Sequence, residues 1–122
     1  MAPEVANDRP YNTSCDIYSY GIVLWEMLAL KQPYFGFTMR MMHTKVWSSA
    51  QMRPEVDSEW PVSIKLLLKR AWSHDIKERN TMKNIAAILR KEAVAARNGD
   101  ESGLEHQKRR STFVFRGRPT RL

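Results

Sequence analysis

The sequence predicts an all-helical unit followed by a basic tail, and three observations carry that prediction. Apolar residues recur at helical spacing, Pro and Gly punctuate the chain between those stretches, and no stretch alternates strongly enough to form a sheet. With 122 residues and 43% hydrophobic residues the chain has room for one small core.

The first element is Asp16 to Leu30, where Ile17, Tyr18, Tyr20, Ile22, Val23, Leu24, Trp25, Met27 and Leu28 leave no polar face. A helix apolar all round is a buried one, so this segment is expected at the centre of the core. It is too short to span a bilayer. Pro33 and Gly36 mark a loop over Lys31 to Phe37, after which Thr38 caps a helix carrying Met39, Met42, Val46 and Trp47. Arg53-Pro54 breaks the chain again, because a residue before proline is driven out of the helical region.

Pro61 suits the first turn of a helix. Ile64, Leu67, Leu68, Ala71 and Trp72 then stand at i, i+3, i+4, i+7 and i+8, one apolar face, with Lys65, Lys69 and Arg70 on the other. Thr81 caps a last helix with Ile85, Ile88, Leu89 and Ala93 facing inward, and Asn98-Gly99 is expected to end it.

Beyond Gly99 the sequence is polar, basic and aperiodic apart from the short Thr112–Phe115 patch, and it reads as disordered. The net charge of +7 belongs mainly to this end. Residues 1–89 hold 11 basic and 9 acidic side chains, and residues 90–122 hold 9 and 4. The high charge therefore says little about what the helical part does.

Several function classes drop out. One cysteine, Cys15, excludes an internal disulfide and a cysteine-rich zinc site, and His43, His74 and His106 lack metal-ligand spacing. Nothing at the start resembles a secretory signal, no apolar run is long enough to cross a membrane, and a reducing, cytoplasmic setting is expected.

Four segments, in order and at plausible spacing, resemble the last third of a protein kinase catalytic domain. Ala2-Pro3-Glu4 matches the motif that closes the activation segment. Asp16-Ile17-Tyr18-Ser19-Tyr20-Gly21 is similar to the start of the family's central helix. Pro33-Tyr34-Phe35 resembles the loop that follows, and Trp72, Asp75 and Arg79 fall where the family has Trp-x-x-Asp-x-x-x-Arg. The wording from Cys15 to Glu26 is similar to the tyrosine-kinase-like group of Ser/Thr kinases, with Raf-like members the nearest comparison.

The resemblance covers residues 1–93 and implies the helical C-terminal lobe of a kinase fold, with 94–122 as a separate disordered basic tail. It implies structural roles for Ala2, Pro3, Glu4, Asp16, Gly21, Trp72 and Arg79, with Glu4 paired to Arg79. Asp16 would bond the backbone of the catalytic loop, although a plain helix-start carboxylate explains its position equally well. Where the family has Arg-Pro this chain has Arg79-Asn80, a mild change at a helix entry.

The resemblance also implies phosphoryl transfer from ATP with Mg²⁺ in a full-length parent, acting on Ser or Thr, or on Tyr, of proteins. The Gly-rich loop, the ATP-pairing lysine, the His-Arg-Asp loop and the Asp-Phe-Gly metal ligand are not in these 122 residues. Gly21, Gly36, Gly99, Gly103 and Gly117 are too scattered to cradle phosphates. The chain by itself is therefore expected to be inactive, with no cofactor of its own and with the kinase N-terminal portion as its partner in cis. Its opening Met1 stands where the family often has a methionine before Ala-Pro-Glu, which suggests reading started at an internal Met of a longer protein. The alternative is a non-catalytic interaction module that uses the helical surface and basic tail.

Smaller features admit plainer accounts. Cys15, beside the buried helix, reads as an inert small residue. Met39, Met41 and Met42 read as helix packing ahead of a docking surface. Arg109-Arg110-Ser111 resembles a basophilic kinase target, making Ser111 a candidate phosphosite. Lys108 to Arg121 could touch nucleic acid or an anionic membrane, but no nucleic-acid fold or aromatic platform accompanies it, so nucleic acid is not an expected partner.

Overall fold

The computed structural model describes the backbone of residues 1–114 and the side chains of residues 1–99. Five α-helices follow one another, and no strand occurs among the described residues. They are α1 (Pro3–Ala6), α2 (Ser14–Ala29), α3 (Met39–Met41), α4 (Val62–Ala71) and α5 (Met82–Val114). A π-helical turn, Met42–Val46, extends α3, and a single 3-10 turn, Ile76–Glu78, precedes α5. The chain divides into two units, Met1–Ile88 and Leu89–Leu122.

The core of the first unit forms where α2 packs on α4. Ile17, Tyr18, Leu24 and Trp25 come from α2, and Ile64, Leu67, Leu68 and Ala71 from α4, followed by Trp72. Val46, Trp47 and Ile85 complete it. The face read from spacing, Ile64 to Trp72, is buried at all five positions, while Lys69 and Arg70 stay in solvent and Lys65 is half-buried. Gly21 permits the helix contact: a Cβ built there lies 2.9 Å from the Ala71 Cβ and 3.6 Å from the Trp72 nitrogen. At that distance a methyl group does not fit without backbone movement.

The caps follow the local chemistry. Thr38 Oγ1 accepts from the Met41 N–H at 3.2 Å, and Thr81 Oγ1 accepts from the Asn84 N–H at 3.2 Å. Pro61 stands at the N-cap of α4, one residue ahead of the first turn expected for it, its ψ of 141° lying outside the helical range. The loop after α2 turns through Gly36 with φ of +78°, where glycine carries no Cβ penalty.

Four expectations are corrected. Helix α2 is not buried all round, since Val23, Met27 and Leu28 are exposed; the composition marks a helix able to be covered on every side, and only the α4-facing side is covered within this unit. Ala93 is exposed instead of facing inward, because inward burial in the last helix is complete only at Ile85. The Asn98-Gly99 pair does not end α5, which runs to Val114. A glycine inside an exposed helix costs only about 1 kcal/mol, and the Glu, Gln, Lys and Arg that follow are good helix formers. The basic stretch expected as a disordered tail from residue 94 thus has a helical backbone up to Val114, and residues 115–122 lie outside the described part. The loop expected between α4 and α5 holds the extra 3-10 turn, begun by the Asp75 carboxylate accepting from the Lys77 N–H at 2.9 Å.

Candidate functional site

Of the residues singled out in the sequence, Ala2, Pro3, Glu4 and Arg79 come together at one buried polar knot in the first unit. Pro3 opens α1, a turn whose N1 position suits proline because no N–H is needed there. This places Glu4 inward. From the loop before α5, Arg79 meets it with two parallel bonds, Nη1 to Oε1 at 2.6 Å and Nη2 to Oε2 at 2.9 Å. Both residues are buried, at 6% and 8% exposure.

Arg79 uses two more of its donors on backbone carbonyls. Nε donates to Ser73 O at 2.9 Å, and Nη1 also donates to Ser14 O at 3.0 Å. One guanidinium thus joins the chain's start, the first turn of α2 and the loop after α4. Such a fork matches a carboxylate bidentately, which an ammonium cannot do. The hydrogen bonds from Arg79 hold the Glu4 carboxyl below its usual range, against the opposing effect of burial.

Beneath the pair lies Tyr18, 1% exposed, with the Arg79 guanidinium carbon 5.2 Å from its ring centre and that of Arg53 at 5.1 Å. The Tyr18 hydroxyl is buried, and burial pushes its ionisation upward. Arg53 was not foreseen as part of this knot. Its Nε donates to Trp72 O at 2.9 Å and its Nη1 to Val46 O at 3.1 Å and Met52 O at 2.9 Å. A cation directly before Pro54, between two apolar stretches, was the available signal.

The start of the chain is held a second time. The Asn7 side chain donates to Pro3 O at 2.9 Å and Trp47 O at 3.0 Å, and the Trp47 indole donates to Met1 O at 3.2 Å. Ala2 is buried in the same place.

Other singled-out residues lie elsewhere. Gly21 and Trp72 meet at the α2–α4 contact. Asp16 is exposed in the first turn of α2, where its carboxylate accepts only a weak 3.8 Å contact from the Cys15 thiol. That thiol is raised by burial and by the Asp16 charge, in keeping with an unreactive cysteine. His74 Nδ1 is buried without a partner, and burial together with the charges of Arg53, Arg9 and Arg79 lowers its pKa. Ser111 lies outside the residues whose side chains are described.

The arrangement fits a structural clamp. Among the described residues no three His, Cys, Asp or Glu side chains converge, and Gly21 is packed against Ala71 instead of facing a phosphate.

Comparison with known proteins agrees with that geometry. Residues 1–89 match the sequence profile of the family described as protein tyrosine and serine/threonine kinase. The chain is 36% identical over 117 residues to the serine/threonine-protein kinase STY46 of Arabidopsis thaliana, covering 96% of this chain and 20% of that protein. It is 35% identical over 91 residues to the serine/threonine/tyrosine-protein kinase HT1 of the same plant, covering 75% of this chain and 23% of that protein. It is 34% identical over 93 residues to human mitogen-activated protein kinase kinase kinase 7, at 73% and 15%. The chain spans less than a quarter of the length of these relatives. With the matched motifs gathered around the Glu4–Arg79 clamp and the Gly21 helix contact, the chain belongs to the protein tyrosine and serine/threonine kinase family, as a C-terminal part of the catalytic domain.

Proposed function

We propose that the polypeptide to which this segment corresponds transfers the terminal phosphoryl group of ATP to Ser or Thr side chains of proteins, and that residues 1–89 serve as its helical base. The observation carrying this reading is the buried Glu4–Arg79 pair, which fixes the end of the activation-segment motif to the loop before α5. Phosphoryl transfer depends on positioning, so a rigid anchor for the segment that precedes Ala2 contributes without touching the reacting atoms. ATP and magnesium would be held by residues outside these 122, within the same polypeptide and in the cytoplasm. The Ser/Thr preference rests on the names of the relatives, of which HT1 is also described as acting on tyrosine.

The test compares the longest polypeptide containing this segment with residues 1–122 in a labelled-ATP phosphotransfer assay on a generic protein substrate. Label on Ser or Thr from the long form, with none from residues 1–122, is the expected result. Label on Tyr alone would remove the specificity. No transfer by any longer form, from a segment that melts cooperatively, would favour the non-catalytic interaction module.

A further inference from the structure

The outer side of α4 carries a second feature that the kinase reading does not use. Leu66, Lys69 and Arg70 stand at i, i+3 and i+4, so they form one ridge on the side turned away from the buried Ile64–Leu67–Leu68 face. Lys77 and Glu78, from the 3-10 turn, form the facing wall of an open groove of about 460 Å³. Leu66 is 49% exposed in its lining.

Charge in this groove is predominantly positive, with Lys69, Arg70 and Lys77 against Glu78. Ser73 Oγ donates to Glu78 Oε2 at 2.8 Å, and Asp75 accepts from the Lys77 N–H, so both nearby carboxylates are engaged locally. Lys69, Arg70 and Lys77 have no ion-pair partner among the described residues. Cations in the last turn of a helix are expected from its dipole, which accounts for Lys69 and Arg70. It does not account for Lys77, supplied by a different element, or for an exposed leucine between them.

We propose that this groove binds an acidic peptide segment of a partner protein, with an apolar side chain on Leu66 and flanking carboxylates on Lys69, Arg70 and Lys77. The lining has no aromatic ring on which a base could stack, so a peptide fits better than a nucleic acid. Mixed apolar and ionic contact gives register as well as attraction.

The experiment measures fluorescence anisotropy of a labelled peptide of alternating Glu and Leu against the full chain at near-physiological salt. The triple variant Lys69→Glu, Arg70→Glu, Lys77→Glu is compared with a charge-matched control, Lys83→Glu, Arg90→Glu, Lys91→Glu, whose residues are also exposed. Circular dichroism of both confirms equal helix content. Binding should weaken by at least about tenfold in the groove variant and less than about twofold in the control, the effect expected of three exposed ion pairs. Leu66→Ala, which leaves the charges intact, should also weaken binding relative to the unaltered chain. Equal losses in both triple variants would reduce the effect to general electrostatics and overturn the proposal. So would a single-stranded oligonucleotide that binds more tightly than the peptide and with the same dependence on the groove residues.

Discussion

At the scale of single residues, the Glu4–Arg79 pair decides most. Glu4→Gln keeps the shape and removes the charge, leaving a buried guanidinium with no counter-charge, and should cost about 3–5 kcal/mol in urea unfolding. The pair also fixes a pH dependence. Glu4 is depressed below its ordinary value of 4.5 in the folded chain, so its stabilisation is complete above that value and fades as pH falls through the lower folded pKa. His74 is likewise depressed, below 6.5, and acts in the same direction, because protonating it on acidification is harder in the folded chain than in the unfolded one. Thermal melts should therefore lose stability first below about pH 6.5 and again below about 4.5. His74→Ala should remove the upper step and Glu4→Gln the lower. A second residue-scale prediction concerns Asn80, whose Oδ1 is buried without a partner. Arg79 has φ of −68° and ψ of 144°, the extended geometry required before a proline. Asn80→Pro should raise stability by about 0.5–1 kcal/mol in the same unfolding assay, and a lower midpoint would refute this account.

At the scale of elements, the α2–α4 contact depends on the missing side chain at Gly21. Gly21→Ala places a methyl 2.9 Å from the Ala71 Cβ and should destabilise by about 1–3 kcal/mol, although alanine is the better helix former. The double change Gly21→Ala, Ala71→Gly should recover part of that loss if close approach is the cause. The capping threonines, Thr38 and Thr81, and the buried stripe of α4 were legible from residue type and spacing. The end of α5 was not, because Asn98-Gly99 is a stop signal only when the backbone leaves the helix there. At α2 the reverse occurs: Leu30 takes the left-handed cap with φ of +52°, a place where glycine is the usual signal.

At the scale of the whole molecule, the two units differ in what holds them. Residues 1–88 contain every buried core side chain among those described, whereas Arg90, Lys91 and Arg97 lie exposed on α5. Brief trypsin treatment should cut at these three sites first and leave a resistant product close to residues 1–88, read by mass spectrometry. Early cutting at Lys69 or Arg70 instead would show that the first unit opens as readily as the second. Such a result would also count against the clamp as the tie between the chain's start and α5.

By itself the sequence determined the helical class, the α4 core stripe, the caps and the kinase family, because these depend on local periodicity, local hydrogen bonding and short motifs kept in order. Even the partnership of Glu4 with Arg79 came from the motifs and not from the chemistry of either residue. Tertiary structure alone decided that Arg53 joins Arg79 over the Tyr18 ring, that Asn7 and Trp47 hold the first residues, and that α2 is covered on one side only. Those features pair groups dozens of residues apart. Their energies arise from burial and bond geometry, which exist only once the helices have packed and water has left the space between them.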